Sequence, residues 1–331
     1  MLICYTVTQL LEKVHFDKTY DHIVATGDVI SKGPDSPGVV DLLISLNASA
    51  VRGNNEDRLL LFSKSAQHLA KQDTGDASFL PSQTRSKVSI LLESLKHHHL
   101  DYLRSLPVIL RIPPLTPASK PAPRLLDAGI NSTSNKESST TDNLLHKDIY
   151  VIHAGLVPGV PASRQDPYSV MNMRSIDPTT YVPSAKRDEG LPWEQVWNWY
   201  QKKVSKDHGK SFPEGTMNLD DQVPSGPVDD GKDHRYDTWP PRKSDADSSS
   251  SSSGSKGWFG ESSGKKEKKV LKPAVAIYGH DSKRSLNLHP WSKGLDSGCV
   301  FGGSLTALVL DAWGRQEIVS VDCEKDMRQT K

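Results

Sequence analysis

HIVATGDVISKGPDS, residues 22–36, is the stretch on which the fold of this chain turns. Its apolar run stops at Gly27-Asp28, the form of a buried strand that ends in a turn. Pro37 is suited to the first turn of a helix, and VVDLLISL (39–46) supplies that helix with an apolar face. The same grammar recurs in SAVRGNN (49–55), a short strand, followed by EDRLLLFSKSAQHLA (56–70), which has helical length and spacing. RSKVSILLESLKHHHLDYLRSL (85–106) reads as one further helix and PVILRI (107–112) as a strand.

Downstream, DIYVIHAGLVPG (148–159) and VAIYGHDS (275–282) are apolar runs ending at His153 and His280. WEQVWNWYQKK (193–203) reads as a helix. GGSLTALVLDAWGRQEIVSVD (302–322) predicts a hairpin of two alternating strands joined around Ala312-Trp313-Gly314-Arg315. Strands alternating with helices predict an α/β sheet, here within a single domain over 1–331. Two segments cannot build a core: 114–147, rich in Pro, Ser, Thr and Asn, and 204–270, with DSSSSSSSGSKG and GKKEKK. Both read as low-complexity, disordered insertions.

Composition narrows the function. Lys plus Arg is 41 against 40 for Asp plus Glu, so no global positive field exists to hold a nucleic-acid backbone. A local basic pocket for a small anion remains compatible with that balance. The three cysteines include no CxxC pair, which argues against a disulfide framework and fits a reducing compartment. No stretch reaches the ~18 apolar residues of a membrane span and the start lacks a basic leader, so a cytoplasmic location is expected. A vacuolar one is the alternative if an N-terminal anchor precedes Met1.

Asp28, Asn54, His153 and His280 each follow a strand, where catalytic loops of α/β sheets lie. Together they form a mixed nitrogen and oxygen set suited to Mn, Fe, Zn or Co rather than Ca. Each also has a plain structural reading. Asp28 and Asp35 could close Asx-turns, Asn54 or Asn55 could cap a helix, and a lone strand-end histidine is commonly structural.

The ordered set is more specific than its parts. GD…KGPDS, then RGNxED, HAGLVPG, and GHDS…LDSGC…GGSLTALVL resembles the calcineurin-like metallophosphoesterases, and within them the diadenosine tetraphosphatase and fungal endopolyphosphatase-like branch. The resemblance covers about residues 5–112, 149–200 and 272–322. It implies an α-β-β-α sandwich and two divalent metals flanking a hydroxide that attacks phosphorus. By motif, Asp28 would bridge the metals, and Asn54, His153 and His280 would complete the shell of one. Lys32 stands where phosphoprotein phosphatases have an arginine and would bind substrate phosphate as a point charge. Arg52, Arg174 and Lys283-Arg284 are further phosphate-binding candidates. Asp296, Gly298, Gly302 and Gly303 read as shaping the backbone behind the metals. Trp193, Trp197, Trp199 and Tyr200 fit an apolar helix face better than a base-stacking platform.

Two departures from the family pattern qualify this. The family opens with a strand ending in a GDxHG-like turn; here TVTQLLEKVHFDKTYDHIVATGD (6–28) matches only from the following helix onward. One metal site therefore keeps its apparent ligands, and one bound metal is expected. A coding region that starts upstream of Met1 is the favoured explanation, a shortened paralogue the other. The absent strand would expose backbone groups on its sheet neighbour. Secondly, Asn55 occupies the position of the family's general-acid histidine, and its amide cannot donate a proton. Loss of a general acid costs ~10²–10⁴ in rate and least with a good leaving group. The leading expectation is thus hydrolysis of phosphoanhydrides, as in polyphosphate or dinucleoside polyphosphates. A serine/threonine phosphoprotein phosphatase and an inactive phosphate- or metal-binding module are the alternatives.

Overall fold

The computed structural model describes residues 2–72, 82–114, 147–206, 272–311 and 314–324. Nearly all of both expected insertions, and Ala312-Trp313 of the expected turn, lie outside the described residues. In chain order the elements are α1 (Leu2–Lys13), β1 (Val24–Ala25), α2 (Ser36–Ser45), β2 (Ser49–Ala50), α3 (Asn54–Gln72), α4 (Ser82–Ser94), α5 (His97–Ser105), β3 (Ile109–Ile112) and β4 (Asp148–Ile152). They continue with α6 (Pro167–Asn172), β5 (Ser175–Ile176), β6 (Pro183–Ser184), β7 (Leu191–Pro192), α7 (Trp193–Lys206), β8 (Ala274–Tyr278), β9 (Asn287–Leu288), β10 (Ser292–Gly294), β11 (Ser304–Leu310) and β12 (Gln316–Asp322).

The main sheet has the order β3-β4-β8-β10-β9, with β4, β8 and β10 parallel neighbours. Because strand side chains alternate, its two faces separate cleanly. Tyr150, Ile152, Ala274, Ala276 and Tyr278 turn toward Trp193, Val196 and Trp197 of α7. Ile149, Val151, Val275 and Ile277 turn the other way, toward Val24, Val51, Leu308 and Leu310 of a second strand layer. That layer holds the parallel pair β1–β2 and the hairpin β11–β12. Beyond it, Ala50 packs with Leu59 and Leu60 of α3 and Leu103 of α5. The order is helix, sheet, sheet, helix, a mixed α/β sandwich.

Three local readings are corrected. The expected strand 22–28 is extended enough to pair only at Val24 and Ala25, since Gly27 and Asp28 take positive φ of 87° and 56°. The expected helix 85–106 is two helices: His99 reaches back so that its Nδ1 accepts the Lys96 N–H at 3.0 Å, capping a new start. The cysteine reading also changes, because Cys299 and Cys323 form a disulfide. Spacing in sequence conceals the pair. The hairpin register places Ser304 opposite Asp322, and Cys323 N–H then donates to Gly303 O at 2.8 Å, which brings the two Cα atoms to 5.1 Å.

Helix α7 is tied to the sheet by a buried side chain. Asn198 Nδ2 donates to Ser292 Oγ at 2.7 Å and to Glu194 O, and its Oδ1 accepts the Trp291 N–H at 2.8 Å. Asn198→Ala strands the Ser292 hydroxyl and the Trp291 N–H, at roughly 1–3 kcal/mol for each group. A lower urea midpoint with an unchanged slope is the expected result in chemical unfolding.

Candidate metal centre

The centre is built where β1, β2, β4 and β8 end. Gly27 and Gly53 let the first two loops touch. A Cβ on Gly27 would lie 2.9 Å from Gly53 N and from His153 Nδ1, and one on Gly53 would run into Asp28 Oδ1. Glu56, fully buried, fastens these loops together. Its Oε2 accepts the N–H groups of Gly53 (2.7 Å) and Asp28 (2.9 Å), and its Oε1 accepts that of Ile30 (3.2 Å). Burial and then the Asp28 charge push the Glu56 carboxyl up to about 8, against the smaller downward pull of the backbone N–H donors.

Asp28 is held in the left-handed region, which Asp tolerates better than most residues. Its Oδ1 accepts the Asn55 N–H at 3.0 Å, in the first turn of α3, where the helix dipole favours negative charge. Its Oδ2 accepts Asn55 Nδ2 at 2.7 Å.

The histidines arrive from adjacent parallel strands, β4 and β8, with their tautomers set by carbonyls. His153 Nδ1–H donates to Thr26 O at 2.8 Å, which leaves Nε2 with its lone pair. That atom lies 3.3 Å from Asp28 Oδ1 and 3.1 Å from Asn54 Oδ1. His280 Nε2–H donates to Asn172 O at 3.2 Å, so its Nδ1 lone pair faces His153 Nε2 at 3.1 Å. Burial, then the proximity of His153 and Arg174, holds the His280 pKa at about 2, so the ring stays neutral. The Asn54 amide oxygen likewise faces only acceptors; turned over, its nitrogen would donate to Asp28 and His153 instead. A carboxylate, an amide oxygen and two imidazole lone pairs aimed at one another fit a cation between them. Thr26 O and Asn172 O fix the rings from behind, as outer-shell partners of metal sites do.

Among the described residues, the His, Cys, Asp and Glu side chains whose ligand atoms all lie within 4.8 Å of one another are those of Asp41, His98 and His99. There the chemistry differs. His99 Nδ1 accepts the Lys96 N–H, so its Nε2 carries the proton and donates to Asp41 Oδ1 at 2.8 Å. That nitrogen is a hydrogen-bond donor rather than a ligand.

Of the expected phosphate-binding residues, Lys32 lies at the centre, its Nζ 3.5 Å from Asp28 Oδ2. Arg174 stands beside it, half-buried, its pKa lowered chiefly by burial and supported by the Asp281 charge. Its Nη1 donates to Ala185 O at 2.9 Å, and its buried Nε meets no acceptor among the described residues. Arg52 Nη2 donates to Arg104 O, and its buried Nε, like that of Arg174, meets no acceptor among the described residues; Arg284 is engaged in the fold instead, its Nη1 bonding both oxygens of buried Glu194, at 2.6 and 2.7 Å. Trp193 and Trp197 are core residues. Asp35 caps α2 through the Gly38 N–H.

Sequence reasoning assigned no role to Glu56 or to Arg187, which bonds Asp281 beside His280. Glu56 carried a signal, an acid in the first turn of a helix right after two candidate site residues. Arg187 carried none, since 94 residues separate it from Asp281.

The calcineurin-like phosphoesterase family model matches residues 3–284. The chain belongs to that family, whose members are metal-dependent hydrolases of phosphoester and phosphoanhydride bonds. It is similar to a symmetrical bis(5'-nucleosyl)-tetraphosphatase of Nitrosospira multiformis, 23% identical over 93% of this chain and 89% of the relative. Another, from Pseudomonas fluorescens, is 26% identical over 96% of this chain and 86% of the relative. A crystal structure proposed to be of a diadenosine tetraphosphatase shares the fold, with a TM-score of 0.53 at 24% identity, covering 97% of this chain and 89% of that one.

Glu56→Gln tests the loop clamp, since an amide cannot accept at both of its heavy atoms. One N–H loses its acceptor, at about 1–3 kcal/mol. The expected outcome is a lower thermal midpoint together with weaker manganese binding in titration calorimetry.

Proposed function

We propose that the chain is a metal-dependent phosphohydrolase that cleaves phosphoanhydride bonds of dinucleoside polyphosphates. The observation that carries this is the place of His153 Nε2, which lies 3.1 Å from His280 Nδ1 and 3.3 Å from Asp28 Oδ1. Asp28, Asn54, His153 and His280 would hold one divalent ion, of Mn, Zn, Co or Fe, by the softness of the donor set. Bound there, the ion would lower the pKa of water and draw charge from the phosphoryl oxygens.

The protein's own groups divide the remaining work. Lys32, beside Asp28, meets the phosphate as a point charge. Arg174, half-buried near the Asp28 charge, is the second candidate for holding the phosphate. Asn55 selects the leaving group. Its amide is turned into Asp28 Oδ2 and has no proton to give, so the group that departs must leave without one. A phosphate does so readily and a serine alkoxide does not, which favours anhydrides over phosphoproteins. The named activity of the full-length relatives agrees. No helix among the described residues is long and apolar enough to cross a membrane.

A hydrolysis panel on the purified chain tests the reading, with Mn, Co, Zn or Mg and with diadenosine tetraphosphate, polyphosphate and a phosphopeptide. Diadenosine tetraphosphate should be cleaved fastest, and Asp28→Ala should abolish turnover. Faster cleavage of the phosphopeptide would overturn the anhydride assignment, and faster cleavage of polyphosphate would move the substrate within that class. Lys32→Ala should raise KM about 10-fold or more while leaving metal binding intact, as expected for a lost charge-assisted contact. Loss of the metal in that variant would contradict its placement.

A further inference from the structure

His280 holds a backbone conformation that its neighbours must impose. Its φ is 72°, in the left-handed region that residues with a Cβ avoid, and such strain persists where surrounding contacts over-determine it. On one side the sheet supplies them: Gly279 N–H donates to His153 O at 3.0 Å. On the other side stands Asp281, which is buried and gripped by two arginines. Arg187 Nε lies 3.0 and 3.2 Å from its two oxygens, Arg187 Nη2 donates to Oδ1 at 2.5 Å, and Arg284 Nε lies 3.3 Å from Oδ2. Resting on the metal-centre reading, we propose that Arg187 is a positioning residue of the centre: through Asp281 it holds His280 in the conformation that turns Nδ1 toward His153.

The two arginines do different work. Arg284 spends its Nη1 on both oxygens of Glu194 in α7 and its Nη2 on Arg174 O, and it reaches Asp281 with one long contact. Arg187 meets the carboxylate as a fork, the planar match that an ammonium cannot make. Two cations and two carboxylates alternate along this chain of contacts, so the buried acids are compensated by their neighbours. Without Arg187, Asp281 would keep only the long contact to Arg284, and the residue after the strained histidine would lose its anchor.

The segment that carries Arg187, between β6 and β7, is itself fastened beside the centre. Ala185 O accepts Arg174 Nη1 at 2.9 Å, and Lys186 O accepts the hydroxyl of buried Ser175 at 2.6 Å. These bonds fix it to the connection between α6 and β5, where Asn172 O takes the His280 Nε2–H at 3.2 Å. One short stretch of chain therefore borders His280 twice. Through Asn172 its surroundings orient the ring, and through Arg187 and Asp281 they set the backbone beneath it. Outer contacts of this kind decide where an imidazole lone pair points.

The test is titration of the full chain with Co²⁺ alone, followed by calorimetry and by the visible absorption of the bound ion, which reports its ligand geometry. Arg187→Lys keeps the charge and loses the fork. We expect it to bind Co²⁺ about 10–100-fold more weakly, the range typical of lost outer support at a metal site, with an altered cobalt band. Asp281→Asn should do the same, and the double variant should lose no more than the worse single one, because both act through one contact. A lower thermal midpoint in chelator, with affinity and cobalt band unchanged in the folded Arg187→Lys chain, would reduce Arg187 to a structural role and overturn the proposal. Independent, additive losses would overturn it too. His280→Ala separates the two levels. If it loses Co²⁺ while Arg187→Lys binds as the parent does, only the role of Arg187 falls; if it binds Co²⁺ normally, the centre itself is wrong and the proposal falls with it.

Discussion

The site depends on one buried carboxylate that touches no substrate. Glu56 gathers the N–H groups of Gly53, Asp28 and Ile30, and so welds the loop after β1 to the loop after β2. Each strand is two residues long and pairs through only a few backbone bonds, too little to fix loop positions to within an ångström. A carboxylate accepting several N–H bonds in a dry interior is much stiffer, since every missed bond would leave a buried donor unsatisfied. With the loops fixed, Asp28 turns toward Asn55 and His153.

The second constraint is proton placement. Thr26 O and Asn172 O each take the N–H of one imidazole, so both rings present lone pairs inward. Facing lone pairs 3.1 Å apart repel unless a proton or a cation lies between them. Burial and the nearby Arg174 keep His280 from taking that proton. The Asp41–His98–His99 group shows the contrast: there the carbonyl-like role is taken by the carboxylate itself, the protons sit between the partners, and the cluster is complete without an ion.

Much of this was legible in the sequence, for definite reasons. Asp28, Asn54, His153 and His280 stand out because each follows an apolar run, and a strand end in an α/β sheet points at a common edge. The continuous apolar runs at 149–152 and 274–278 likewise announce strands covered on both faces. What escaped were features set by contacts between distant segments. The break at Lys96 comes from a histidine cap that helical periodicity does not register. The Cys299–Cys323 bridge comes from hairpin register, and the commitment of Arg284 to Glu194 comes from a buried acid on α7. Arginines in particular read alike in sequence whether they meet a substrate or a buried glutamate.

The position of a bound ion tests the account most directly. Anomalous diffraction at the manganese edge, from crystals of the full chain grown with Mn²⁺, would locate it. The account predicts a peak bounded by His153 Nε2, His280 Nδ1 and the Asp28 carboxylate. A peak at Asp41, His98 and His99, with none between the strand-end histidines, would contradict it.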